Sequence, residues 1–343
     1  MKTKLLTSSR EDIIEAGRLL AAGKLVGIPT ETVYGLAANA FDAEAVASIF
    51  RAKGRPADNP LIVHISKLEQ LGGLVREIPE SAVMLAAAYW PGPLTMIMPA
   101  ADIIPREVTA GLDTVAVRLP SHETARRIID AAGVPLAAPS ANTSGKPSPT
   151  KAEHVMHDMN GRISAVVDGG ECRFGVESTV ITLCTDPPML LRPGAVTPDM
   201  IRAVIGEIAI NHAVTERMDD GEKAASPGMK YKHYAPDTDI RLVTGDFEAY
   251  AAYTAANMIP GDWAMCFAGE GERLRDEYGI DIRYIEYGRE DDLLSQAKGL
   301  FAALRRLDAE GAKRAFVRCC KPEGVGLAVY NRLVRAAGFN VIR

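Results

Sequence analysis

The sequence predicts an α/β protein in two parts, a twisted mixed sheet followed by a small Rossmann-like parallel sheet. Three observations lead there. Short apolar runs alternate with amphipathic helical stretches through the first two hundred residues, but several are joined by hairpin-like turns, which mixes antiparallel pairs into the sheet. Beyond residue 238, short strands alternate regularly with helices, the pattern of parallel βαβ units. The 343 residues also exceed what one core usually supports. The expected division is 1–207, a linker over 208–237, and 238–343.

Each element has a local cause. Ser9, with Asp12 three residues on, caps a first helix whose apolar face is Ile13, Ile14, Ala16, Leu19 and Leu20. Residues 25–28 form a buried strand that stops at Pro29, which has no N–H to donate to a ladder. Thr30, Glu31 and Thr32 stand at its mouth. Asp42 caps the next helix, with Ala45, Val46, Ile49 and Phe50 on one face. That helix runs out in a cationic loop of Arg51, Lys53 and Arg55 broken by Gly54 and Pro56. A strand over 61–65 then carries His64 near its end. A helix over 78–89 enters through Pro79 and halts at Trp90-Pro91-Gly92-Pro93. Strands follow over 94–98 and 114–119, then a helix over 124–131. Residues 135–138 lead into the polar loop Pro139-Ser140-Ala141-Asn142. Further strands at 166–167, 176–183 and 189–191 precede a closing helix over 198–204.

Between 208 and 236 periodicity fades while charge, glycine and proline rise, as in a linker. Strands are then expected at 240–243, 263–267, 282–285 and 316–318. The clearest helix is 291–309, with Leu293, Leu294, Ala297, Leu300, Phe301, Leu304 and Leu307 on one face. No G-x-G-x-x-G follows a strand here, so nucleotide binding in this half has no sequence support.

Composition excludes several classes. With 39 basic against 44 acidic residues the net charge is −5, which argues against a protein that grips nucleic acid through a broad basic face. The five cysteines are odd in number and lack C-x-x-C spacing, so neither a disulfide framework nor a zinc knuckle is expected, and a reducing cytoplasm fits. The opening residues MKTKLLTSSRED lack a signal-peptide core, and no apolar run approaches the roughly 20 residues that span a bilayer. A soluble, cytoplasmic protein with no membrane contact is expected.

Any anion site must be local, and it is not a P-loop. Gly145-Lys146 precedes a proline and lacks the upstream glycine of the Walker pattern. Phosphates would have to be met by Lys53, Arg55, Arg118 and Arg192. Each of these alone reads more readily as a solvated charge than as a ligand contact. What favours a site is their placement at strand ends, where open α/β sheets bind ligands. Ser140 lies outside any G-x-S-x-G, so a covalent hydrolase is not expected. Ser140, Asn142 and Ser148 are loop hydrogen-bonding groups or simple turn formers. His154 and His157 stand three apart without a third ligand, so no metal site is expected. His64 is either a polar contact in the site or a satisfied core histidine. No catalytic residue is identified.

PTETVYGL, KGRPADNPLIVHI, WPGPLT, TVAVRLP, PLAAPSANTSGKPSPT, GVESTV and LLRPGAVT resemble, in the same order, the motifs of the YrdC family of threonylcarbamoyl-AMP synthases. SPGMKYKHYAP at 226–236 and the chain beyond it resemble the family's long form, which adds a C-terminal domain. The resemblance implies a YrdC-like catalytic domain over 1–207 and a nucleotidyltransferase reaction. L-Threonine, bicarbonate or CO2, and ATP would become threonylcarbamoyladenylate and pyrophosphate, and a downstream threonylcarbamoyl transferase would pass the group to tRNA. Direct contact with tRNA is left open. By the same resemblance Thr30, His64, Arg118 and Ser178 line a threonine pocket, with Arg118 on the carboxylate. Lys53, Arg55, Asn59, Thr114, Ser140, Ser148 and Arg192 contact ATP, which brings Mg2+ with it. Tyr231 folds over the site from a linker that acts as a lid. Two other readings stand beside it. One is a non-catalytic RNA-binding module using the same cations, which the acidic charge and 6% aromatic content disfavour. The other is a carbamoyl-adenylate former for a different small substrate.

Overall fold

The computed structural model describes residues 2–217 and 234–342. Among them eleven strands form one mixed sheet: β1 (Lys4–Leu6), β2 (Val26–Ile28), β3 (Gly35–Asn39), β4 (Ile62–His64), β5 (Leu94–Pro99), β6 (Thr114–Arg118), β7 (Leu136–Ala137), β8 (Ala165–Val167), β9 (Thr179–Thr182), β10 (Met189–Arg192) and β11 (Ala209–Ile210). Their order is β1-β8-β2-β3-β7-β4-β6-β5-β9-β10-β11. β4 runs parallel to β6, whereas β2–β3 and β5–β6 are antiparallel, which is the mixture expected from the short turns. A second sheet holds β12 (Asp239–Val243), β13 (Trp263–Cys266), β14 (Arg283–Glu286), β15 (Arg314–Arg318) and β16 (Val341–Ile342). Its order is β14-β13-β15-β12-β16, with every pair parallel.

Local chemistry sets the ends of the elements. Ser9 accepts a hydrogen bond from the Asp12 amide and starts the helix Arg10–Ala21. That helix lies so close to Glu123–Ala132 that a Cβ on Gly17 would sit 2.5 Å from the Ala131 carbonyl carbon, so only glycine fits. Asp42 caps the helix Ala43–Lys53, and Gly54 closes it in the left-handed conformation at φ +64°. Asp292 caps the long helix, which therefore begins at Leu293 rather than at 291.

The first sheet differs from expectation at β3 and β11. β3 reads Gly-Leu-Ala-Ala-Asn, buried along most of its length and rich in small residues, so it shows neither alternation nor β-branched enrichment. β11 pairs in parallel with β10 inside the stretch expected to be linker, and Asn211 caps a short 3-10 turn after it. Two residues are too few to leave a periodic trace.

Successive residues of β4 face opposite sides, Val63 into the main core and Ile62 into a smaller one. The apolar core of the parallel sheet takes in Val33 and Val176 from the first half, so the two sheets share buried surface. Among the described residues no helix is long and apolar enough to cross a membrane.

Candidate active site

The parallel register of β4 and β6 sets His64 directly beside Arg118 at the carboxyl ends of both strands. Around that point lies a narrow cleft, about 60 Å³ in volume, lined by Ile62, His64 and Arg118 among others. Its walls come from the turn after β2, the loop after β7, and the segments bearing Ser178 and Arg192.

Arg118 is held from three sides. Its Nε donates to the Gly92 carbonyl at 3.2 Å and its Nη1 to Thr32 Oγ1 at 2.9 Å. Nη2 forms an ion pair with Glu31 Oε1 at 2.7 Å. Burial alone would push the Glu31 carboxyl upward. The Arg118 guanidinium, by charge and contact, together with backbone N–H groups outweighs it and holds the group below the usual carboxylate range. His64 donates from Nδ1 to the Ile62 carbonyl at 3.2 Å, and burial together with the neighbouring Arg118 charge lowers its pKa to about 3. The imidazole is therefore neutral at pH 7. Thr30 spends its hydroxyl on the Val33 carbonyl at 2.6 Å and lies 2.9 Å from Thr32 Oγ1, which shapes the turn into the cleft wall. Ser178 Oγ sits 2.8 Å from Thr95 Oγ1 and accepts from Arg192 Nη2 at 3.1 Å, while Arg192 Nε donates to the Ser178 carbonyl.

At the other end, Lys53 is 2% exposed and donates to the carbonyls of Ser140 and Asn142. Burial, and then the charge of Arg55, lower its pKa well below the usual ammonium value. Burial likewise lowers Arg192. Arg55 and Ser140 line the same cleft. Of the twelve residues singled out by sequence, Thr30, Lys53, Arg55, His64, Arg118, Ser140, Ser178 and Arg192 thus converge.

The others do not line it. Asn59 is buried ahead of β4, and Thr114 begins β6, four residues and roughly 13 Å of strand away from Arg118. Ser148 is buried and gives its proton to Glu177 Oε1, so it reaches the cleft only through that carboxylate. Tyr231 lies outside the described residues. Tyr234 of the same KYKHY segment lines the cleft at φ +64°, its ring 5.3 Å from Phe301. Sequence reasoning flagged the segment but not Tyr234. It also passed over Thr32, Lys146 and Glu177, which line the cleft.

Glu177 is the carboxylate among the lining residues, and both of its oxygens are taken, one by Ser148 and one by Arg332. That donor set does not fit a protein-held Mg2+. Among the described residues no other group of three or more His, Cys, Asp or Glu gathers to hold a metal.

A mixed α/β sheet that turns three buried cations and several hydroxyls into one cleft, without a glycine cradle or nucleophile elbow, defines an anion-binding site of side-chain type. The comparisons with known proteins fall in the same place. Residues 18–194 match the Sua5/YciO/YrdC family model, described as telomere recombination, and residues 196–338 match the model described as threonylcarbamoyl-AMP synthase, C-terminal domain. The threonylcarbamoyl-AMP synthase of Pyrococcus abyssi is 47% identical over 96% of this chain and 94% of that protein. That of Bacillus subtilis is 45% identical over 99% and 97%. The crystal structure of P. abyssi Sua5 complexed with L-threonine superposes with a TM-score of 0.89 at 44% identity, covering 100% of this chain and 99% of that one. The chain belongs to the threonylcarbamoyl-AMP synthase family, in its two-domain Sua5 form.

Proposed function

We propose that this enzyme condenses L-threonine, CO2 or bicarbonate, and ATP into L-threonylcarbamoyladenylate with release of pyrophosphate, the first step of threonylcarbamoyladenosine formation on tRNA. The observation that carries the reading is the meeting, in one cleft, of His64 and Arg118 with Lys53 and Arg192. Arg118, which lines the cleft beside His64, suits the threonine carboxylate, and Thr30, His64 and Ser178 shape the space beside it. Lys53, Arg55, Ser140 and Arg192 suit the nucleotide. An arriving triphosphate supplies the countercharge that burial denies Lys53. Asn59 and Thr114 fall outside this contact set, and Ser148 acts through Glu177.

The chemistry needs positioning more than a covalent partner. The neutral threonine amine captures CO2 and loses a proton to give a carbamate. A carbamate oxygen then attacks the α-phosphorus of ATP, and pyrophosphate leaves. Three aligned reactants and cations on the phosphates supply the rate. Magnesium enters as part of the substrate, on the phosphates.

We assign residues 1–207 to catalysis, 208–237 to a cover over the cleft, and 238–343 to a second domain. Closing a water-excluding cover protects a hydrolysable mixed anhydride until a threonylcarbamoyl transferase collects it for tRNA. We place the protein in the cytoplasm, as its cysteine pattern suggests. The direct test is pyrophosphate release from ATP. It should require both L-threonine and bicarbonate, should not require RNA, and should be weak with serine. Release that ignores threonine sinks the proposal.

A further inference from the structure

Arg332 belongs to the helix Gly326–Ala336, which packs on the parallel sheet, yet its guanidinium is fully buried against the catalytic half. Nε donates to Glu177 Oε2 at 3.0 Å, and Nη2 lies 3.4 Å from the Glu177 carbonyl. Nη1 donates to the Pro193 carbonyl, one residue after Arg192, and to Asn331 Oδ1 at 3.3 Å. The guanidinium carbon also stands 5.7 Å from the Tyr234 ring.

This arginine therefore grips both segments that build one wall of the cleft. Glu177 immediately precedes Ser178, and Pro193 immediately follows Arg192, and Ser178 and Arg192 bind each other. Glu177 poses a charge problem, being a carboxylate that lines a cleft otherwise furnished with cations. Without a fixed counterion it would repel an incoming polyphosphate and compete for Arg192. Arg332 sits behind it and holds it as a neutral, immobile pair.

We infer that Arg332 is a positioning residue for nucleotide binding, acting from the second half of the chain through Glu177 and Pro193 on Ser178 and Arg192. The inference rests on the proposed reaction for its activity readout, and on nucleotide affinity alone for its independent one.

The experiment compares wild type, Arg332→Met, Glu177→Gln and the double variant. Pyrophosphate release is measured with ATP titrated at saturating threonine and bicarbonate, and ATP binding by calorimetry on the same proteins. Arg332→Met should raise the KM for ATP at least tenfold while kcat changes less than threefold, and the double variant should recover most of that loss. A merely structural arginine would lower the melting temperature without rescue by Glu177→Gln. A folded Arg332→Met with wild-type KM and ATP affinity overturns the inference, as do losses that simply multiply in the double variant. If Arg332→Met fails to fold, the double variant and Arg332→Lys decide. The first should bind ATP within threefold of wild type and the second more weakly, and the opposite pattern overturns it. Should wild type release no pyrophosphate, the proposed reaction fails, and calorimetry still judges Arg332.

Discussion

Arg118 and Arg318 occupy the same place in two different sheets. Each is the last residue of a strand, TVAVR in one and RAFVR in the other, and each is 3% exposed. Arg318 is closed off. It donates to the carbonyls of Gly245 and Cys319, to Glu270 at 3.3 Å and to Glu290 at 3.1 Å. Arg118 is paired with one carboxylate, Glu31 at 2.7 Å, and lines the cleft beside His64. The carboxyl end of a strand offers a site in any α/β sheet. The contrast teaches that a cleft beside a buried cation, together with a lone carboxylate partner instead of two, rather than its position at a strand end, separates a site from a structural clamp.

The largest effect that sharpens this comparison is expected from Arg118→Ala. Removing one partner of a buried charge pair costs about 2–5 kcal/mol, so kcat/KM for threonine should fall about 30-fold to several-thousand-fold. Threonine-dependent pyrophosphate release checks it, and full activity would break the assignment. Arg318→Met should do the reverse. It should destabilise by about 2–3 kcal/mol, less than the roughly 3–5 of a tightly closed pair, because Glu290 is solvent-exposed and burial already raises Glu270 toward its protonated form. Activity per folded molecule should not change. Urea titration and kinetics on the same samples separate the two arginines.

What the sequence made legible follows from what each residue must do alone. Lys53, Arg55, His64 and Arg118 were readable because each sits at the end of an apolar run that announces its strand or helix. Glu177 was not, since its meaning depends on Arg332, 155 residues away. Thr114 and Arg118 stand at opposite ends of one expected strand, but only the pairing of Arg118 with His64 shows which end carries the cleft. The two-residue strands β11 and β16, and β3 with its small residues, escaped for a related reason, being specified by pairing with neighbours rather than by a pattern of their own. The linker tyrosine illustrates the same limit. Burial against Phe301, not motif spacing, sets Tyr234 in the cleft wall.

A smaller effect distinguishes the two halves by acid. All six histidines precede residue 234, so the parallel sheet and its helices carry none. His64 keeps a pKa of about 3 when folded, from an ordinary value of 6.5, because burial and Arg118 disfavour its charged form. The unfolded chain therefore binds a proton below about 6.5 that the fold refuses. Its penalty is absent above that pH and grows by about 1.4 kcal/mol per pH unit as pH falls toward 3. Glu270 acts with the opposite sign, since its raised pKa lets the fold bind a proton more readily than the unfolded chain. Acid should thus loosen the catalytic half first. Urea unfolding at pH 7 and pH 5.5 should show His64→Gln losing about 1 kcal/mol less than wild type over that interval. An equal loss in the two proteins would mean that His64 is protonated in the fold, and that Arg118 does not bear on it as the register of β4 and β6 requires.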